Sequence, residues 1–440
     1  MKISTRHFRA PALGLLFCKL WAANLFAVAA TRHVVFDKMV VGAMEFGGMR
    51  GWAAIFVGLV GCLSGAAYAQ DRTGVTDTAI KIGVPGPLTG PNASFGAAVY
   101  GIQAYYNYVN EKGGVHGRKI EIILGDDACN EAKGIAAAKK LISQDQVFLL
   151  NGGVCSGVAL AMRPVVEESG VPWVVSTAVN QKISNPLAKG IFHASQTSEA
   201  AGQAFARFML SKPDTKKVGI IAHTNEWARG YRDPMVEALK AKGLTPVAEV
   251  VLERGQTDAT AQVLKLKEAG LDFVVAILYE PEIVVFLRDS QKLGLDTIKF
   301  GGLGADFQGT EKRLGSREPM KNFYQLFQFK DLMDGPGMKV ARDIIEPRLP
   351  AGEKLTDFSF YGPGSAAAIV HVLQKIGRDL TREKFIAEME KLQGFDTGML
   401  AGKLNYSATN HQGAMDLYTI GYDQSGKIAV YESWGKLAAP

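Results

Sequence analysis

From residue 79 onward, short apolar runs rich in β-branched residues alternate with longer segments whose apolar positions recur at helical spacing. Residues 79–84 predict a strand that ends in the turn-rich loop Pro85-Gly86-Pro87-Leu88-Thr89-Gly90-Pro91-Asn92. A helix is predicted over about 95–111, with Ile102, Tyr105, Tyr106 and Val109 on one face, and Gly113-Gly114 breaks it. Strands follow at 119–124, 147–150 and 171–175, with helices at 130–143 and 156–169 between them; Pro164 predicts a kink in the latter. The alternation restarts after a polar segment at 193–198. It predicts helices at 201–210, up to 242, at 259–269 and up to 293, and strands at 217–222, 245–252, 272–278 and 299–302. Two further helices are predicted at 361–376 and 382–392, then two strands near 415–422 and 428–433. Such alternation describes doubly wound parallel sheets, here two similar α/β units in series.

In such sheets ligands gather at the carboxyl ends of the strands. Two successive exits stand out, Asp126-Asp127-Ala128-Cys129 and Asn151-Gly152-Gly153-Val154-Cys155-Ser156-Gly157. The second places Ser156 at a helix start, where free N–H groups and the helix dipole favour a carboxylate. Phe95, Asn180, Trp227, Tyr279 and Asp306 also lie at or just after apparent strand ends. Aromatic walls with a few polar anchors suit a small organic ligand. Asp126 and Asp127 are read as a turn acid and a helix cap rather than a metal pair.

No catalytic signature is present. There is no H-E-x-x-H, no Walker loop, and Ser156 lacks the glycine pattern of a nucleophile elbow. No enzymatic activity, cofactor or metal is expected. The net charge of +6 is spread along the chain with no basic helix interleaved with aromatics, so nucleic acid is not an expected partner.

The 440 residues exceed what one core usually serves. Residues 1–69 read as a presequence: Met49-Arg50, an apolar run at 52–63, then Ala67-Tyr68-Ala69 form a secretory signal pattern. Translation starting at Met44 or Met49 would leave 1–43 untranslated; a long leader is the alternative. Leu59-Val60-Gly61-Cys62 resembles a lipoprotein box, though the apolar run continues past Cys62. Export to the periplasm leaves two cysteines, Cys129 and Cys155, read as one disulfide, with two buried thiols as the alternative.

Pro87-Leu88-Thr89-Gly90, the segment from Val109-Asn110-Glu111 through Gly117-Arg118-Lys119, Asp126-Asp127-Ala128-Cys129 and Cys155-Ser156 resemble the periplasmic leucine/isoleucine/valine-binding proteins. These are solute-binding subunits of branched-chain amino acid type ABC transporters. The resemblance implies two Rossmann-like lobes joined by three crossovers, the type I periplasmic-binding-protein fold, with lobe one at 79–196 plus 330–404 and lobe two at 197–329 plus 405–440. It implies a Cys129–Cys155 disulfide, a small-molecule ligand between closing lobes, membrane permease subunits as partners and a monomeric state. It places Ser156 on a ligand carboxylate together with the loop from Ser176 to Asn180, and Phe95, Trp227 and Tyr279 along the ligand. This chain departs from the family where an acid holds the ligand ammonium. Gly304-Ala305 stands there, with Asp306 close by, and Ser198 replaces another acid. A buried ammonium needs a paired charge, so an aromatic or other organic acid is an expectation beside an amino acid. A ligand-sensing domain of a signalling system is the alternative function, because the fold is shared.

Overall fold

The computed structural model describes residues 72–413, 416–433 and 435–437. The expected presequence, with its Cys62 box, lies outside them.

The first sheet has five parallel strands: β1 (Ala79–Gly86), β2 (Lys119–Asp126), β3 (Leu149–Gly152), β4 (Trp173–Val175) and β5 (Ile191–His193), in the order β2-β1-β3-β4-β5. Helices α1 (Ala97–Glu111), α2 (Glu131–Lys139) and α3 (Ser156–Ser169) connect the first four. Asn130 caps α2 by accepting from the Lys133 N–H. α3 runs through Pro164 as one element.

The second sheet has eight strands: β6 (Val218–Ala222), β7 (Ala248–Val251), β8 (Phe273–Ile277), β9 (Ile298–Gly301), β10 (Phe323–Phe327), β11 (Tyr418–Tyr422), β12 (Ile428–Ser433) and β13 (Lys436–Leu437). Their order is β13-β12-β11-β10-β9-β8-β6-β7. Strands β6 to β10 are parallel, and β11 to β13 extend the sheet antiparallel. Helices α4 (Ser198–Leu210), α5 (Glu226–Lys240), α6 (Thr260–Glu268), α7 (Glu280–Leu293) and α8 (Phe307–Leu314) accompany it. Every residue of β6 and β8 is buried, as expected of parallel strands covered on both faces.

After β10 the chain returns to the first sheet. Helices α9 (Lys339–Ile345), α10 (Phe358–Tyr361) and α11 (Pro363–Ile376) pack on α1, and α12 (Arg382–Met389) packs on α11. Gly101 permits the crossing of α1 and α10, because a Cβ there would lie 2.1 Å from the carbonyl oxygen of Ser359. Arg382 donates to the carbonyls of Val147 and Phe148. Residues 405–413 also stay with the first sheet: His193 N–H donates to His411 O, Gly413 N–H donates to His193 O, and the Tyr406 hydroxyl donates to the same carbonyl.

Both sheets are therefore α/β with two mostly parallel layers, as the alternation implied. The sequence reading missed β5, β10 and β13. β5 has only three residues, the last of them at the start of the segment read as polar, and Gln325 interrupts the apolar run of β10.

Candidate functional site

Each sheet has one place where the strand order turns back: between β1 and β3 in the first, between β6 and β8 in the second. These are the crevices where an open α/β sheet takes a ligand. The loops leaving β1 and β3 carry Phe95 and Ser156; those leaving β6 and β8 lead to Trp227 and Tyr279. The four exits face one another across an inner cleft.

That cleft is lined by Phe95, Val154, Cys155, Thr177, Val179, Trp227, Tyr231, Tyr279, Leu303, Gly304, Phe358 and Tyr361, and encloses ≈ 30 Å³. Six of these are aromatic and none is charged. Phe95 meets Tyr279 edge-on at 5.2 Å between ring centroids and Phe358 at 5.0 Å, while Trp227 lies 4.5 Å from Tyr279. Such offset and edge contacts let rings pack densely without repulsion between their faces. The Arg254 guanidinium lies 4.9 Å from the Tyr279 centroid, a cation–π contact. Tyr361 crosses between the lobes, its hydroxyl donating to Leu303 O at 3.0 Å.

At one end stands the start of α3. Ser156 is 2% exposed, and its Oγ accepts from the Val179 N–H at 3.3 Å, which leaves the hydroxyl proton available as a donor. The first N–H groups of α3 have no partner within the helix and stand next to Cys155 of the cleft; none of the cleft's lining residues is acidic, while Glu131 Oε1 lies 3.1 Å from where a Cβ on Gly157 would stand. Cys129 and Cys155 are disulfide-bonded, with Cα atoms 5.6 Å apart, and the bond ties the exit of β2 to the residue before Ser156.

The paired acids beside Cys129 are structural. Burial works against the Asp126 charge, but the Thr89 hydroxyl and the N–H groups of Leu88, Ala128 and Thr89 hold its carboxyl below the usual range. Asp127 accepts from the Cys129 N–H at 2.7 Å and is pushed up to about 6 by burial, with the Asp126 charge adding. Neither caps α2; Asn130 does.

The remaining expected site residues are placed differently. Ser176 is buried, its Oγ 3.1 Å from that of Thr177, which does line the cleft. Asn180 donates across the lobes to Glu226 O at 3.2 Å and faces a separate cavity of ≈ 560 Å³ with Glu199, Gln203 and Arg229. Ser198 begins α4, fully buried, and donates to Gln181 Oε1 at 2.8 Å. Asp306 caps α8 by accepting from the Gly309 N–H at 2.8 Å. Its other neighbours are acids. It interacts with Asp357, whose carboxyl is pushed well up by burial and by Asp306, and it lies beside Glu280, which Arg313 pairs at 2.6 Å. Asp306 and Glu280 line an outer cavity of ≈ 560 Å³ that shares Phe95 and Phe358 with the inner cleft.

Tyr231, Phe358 and Tyr361 were not singled out from the sequence. Tyr231 lies one helical turn beyond Trp227, a spacing that could have flagged it. No local signal marks Phe358 and Tyr361, which reach the cleft only because the chain returns to α1. Among the described residues no group of three or more histidine, cysteine, aspartate or glutamate side chains could hold a metal, and no helix is long and apolar enough to cross a membrane.

A Leu/Ile/Val-binding protein homolog of Brucella melitensis is 30% identical over 250 residues, 57% of this chain and 65% of that one. The chain spans less than two thirds of the length of curated relatives it matches, such as 58% of an amino acid binding protein of Pseudomonas aeruginosa, 28% identical over 49% of this chain. Solved structures share the fold. A branched chain amino acid ABC transporter protein of Thermus thermophilus with bound valine gives a TM-score of 0.73 at 19% identity, covering 82% of this chain and 97% of that one. A solute binding protein of an ABC transporter from R. palustris, in complex with benzoate, gives 0.69 at 21%, again over 82% and 97%. The sequence model of the periplasmic binding protein family matches residues 79–427, nearly the whole described chain, and the protein belongs to that family.

Proposed function

We propose that the protein is the extracytoplasmic solute-binding component of an ABC importer and that its ligand is a small organic acid with an apolar, aromatic-sized body. The observation that carries the ligand class is the inner cleft itself: six aromatic side chains, hydrogen-bond donors at the start of α3, and no charged group to meet an ammonium. A carboxylate would sit near Ser156 and the first N–H groups of α3, beside Thr177, and its ring would take the place among Phe95, Trp227 and Tyr279 that opens when these rings, now in contact around ≈ 30 Å³, move apart. The benzoate complex of the R. palustris protein supports this class, and the relatives named for leucine, isoleucine and valine support the transport role.

On this reading lobe one comprises 79–196 with 330–413, since residues 405–413 bond to β5, and lobe two comprises 197–329 with the final strands. Hinge closure around the ligand would present the closed form to a permease. Periplasmic location after removal of the presequence and action as a monomer belong to the same proposal. The outer acids Glu280 and Asp306 carry a second reading, in which the ligand turns an ammonium toward that cavity, though Arg254, Lys312, Arg313 and Lys354 line it too.

A thermal-shift and calorimetric panel separates the two. Bound ligand stabilises the native state by mass action. Benzoate and 4-hydroxybenzoate are expected to raise the melting temperature, and leucine and valine to leave it unchanged. A shift with the amino acids alone sinks the proposed ligand class. Shifts with neither set count against the transport reading.

A further inference from the structure

His223 follows β6 and Tyr279 follows β8, the two strands that flank the turning point of the second sheet. The imidazole is fully buried, and its two nitrogens have opposite roles. Nδ1 lies 2.7 Å from the carbonyl oxygen of Leu252, which can only accept, so Nδ1 carries a proton. Nε2 accepts from the backbone N–H of Tyr279 at 3.0 Å. A neutral ring protonated on Nδ1 satisfies both bonds. An imidazolium cannot, because its Nε2–H would face another donor.

A second partner for that proton is in place. Glu282 Oε2 lies 3.6 Å from Nε2 and is buried with no hydrogen-bond partner, while its Oε1 accepts from the Gly255 N–H at 2.8 Å. Nε2 thus stands between a donor it now serves and an acceptor it does not.

We propose that His223 is a positioning residue for the ligand wall: neutral, it pins Tyr279 through the backbone N–H, and protonated, it releases Tyr279 and turns Nε2–H to Glu282, so that ligand binding weakens in acid. The inference rests on the reading of Tyr279 as a wall of the ligand site.

The groups around the ring are consistent with a proton uptake that is confined to the acid side. Burial holds the imidazole below its ordinary range; the Leu252 carbonyl and Glu282 oppose this, Arg254 adds to it, and Glu253 opposes it. Glu282 comes from α7, and Glu253 and Arg254 from the loop after β7. From α5 the Trp227 ring lies 6.5 Å away, and the charges of that helix's first turn, Glu226 and Arg229, pair with each other.

The test uses the purified protein with 15N-labelled histidine, and His223→Gln, which keeps an acceptor toward Tyr279 but does not titrate. In long-range nitrogen–proton spectra of the ligand-free protein at pH 7.5, His223 is expected to show a protonated Nδ1 and a bare Nε2. On acidification Nε2 gains a proton, the Tyr279 amide resonance shifts with it, and Trp227 emission falls; the last two changes are absent in His223→Gln. In the wild type, benzoate affinity falls with the same midpoint, by up to about tenfold per pH unit, and in His223→Gln it stays flat down to pH 5.5. A protonated Nε2 at pH 7.5, or a Tyr279 amide indifferent to the titration, overturns the proposal without reference to any ligand. Benzoate failing to bind at any pH counts against the proposed ligand class alone, and the spectra then decide the role of His223. A merely structural histidine would alter stability in the variant but leave the two pH profiles parallel.

Discussion

The indole of Trp227 occupies the space that a side chain at residue 304 would need: a Cβ built on Gly304 would lie 2.7 Å from Cη2 of Trp227 and 2.8 Å from the carbonyl oxygen of Leu278. Real Cβ atoms do not approach that closely, so glycine here and tryptophan there are one solution to a packing problem. Gly304→Ala is expected to displace the indole, cost about 1–3 kcal/mol of stability and weaken binding of an aromatic acid. Shortening residue 227 in the double variant Trp227→Leu/Gly304→Ala should recover part of the stability, since the Leu278 carbonyl still crowds the new methyl. Urea melts of the two single variants and the double variant measure this coupling. Strictly additive losses would show that the two positions do not compete for space.

Ser156 is the anchor expected to set affinity for the carboxylate end. Its Oγ already accepts from Val179 N–H, so its own proton is free to be donated to a ligand oxygen. Ser156→Ala should weaken a carboxylate ligand by on the order of 1–3 kcal/mol while leaving a neutral amide analogue less affected. Calorimetry on the acid and amide pair checks this. Equal losses for both would place the carboxylate elsewhere.

Much of the scaffold was legible because parallel strands covered on both faces must be apolar throughout, and β8 reads Phe-Val-Val-Ala-Ile without interruption. β5 escaped because three residues carry too little pattern, and β10 because Gln325 points its amide at Ala305 O inside the sheet. Strand exits were the legible part: Phe95, Trp227 and Tyr279 line the cleft, and Ser156 lies behind it, bonded to the lining residue Val179. Phe358 and Tyr361 arrive from a segment far along the chain, and no local spacing announces a long-range return. Asp306 shows the opposite difficulty. Its charge is visible in the sequence, but its commitment to the Gly309 N–H and its acidic neighbours are not.

The Cys129–Cys155 bond closes a loop with a sequence separation of 26. In the chain-entropy account a loop of that size contributes about 3.5 kcal/mol. Replacing both cysteines by serine is expected to lower stability by roughly that amount, and to weaken ligand binding as well, because Cys155 lines the cleft and immediately precedes Ser156. Chemical denaturation with and without reductant gives the first quantity. Benzoate titration of the reduced protein, at a temperature where it remains folded, gives the second.

Asp127 carries a pH signature of its own. Its side chain is buried, Oδ1 accepts from the Cys129 N–H, and Oδ2 has no hydrogen-bond partner. Burial raises its pKa from the ordinary 3.8 to about 6. Between those values the folded chain keeps a proton that the unfolded chain has released, so stability falls as pH rises through the window and the full cost is present above it. An asparagine keeps the acceptor for Cys129 and never ionises. Asp127→Asn is therefore expected to be more stable than the wild type at pH 7.5, by up to about 3 kcal/mol, with the advantage shrinking toward zero near pH 4. Urea melts at a series of pH values read this difference. An advantage that does not change with pH would mean that folding leaves the carboxyl's pKa where it is in the unfolded chain and that the asparagine gains a bond the aspartate lacks. An asparagine variant weaker than the wild type at pH 7.5 would mean that the carboxylate is held by a favourable partner, and the burial argument would fail.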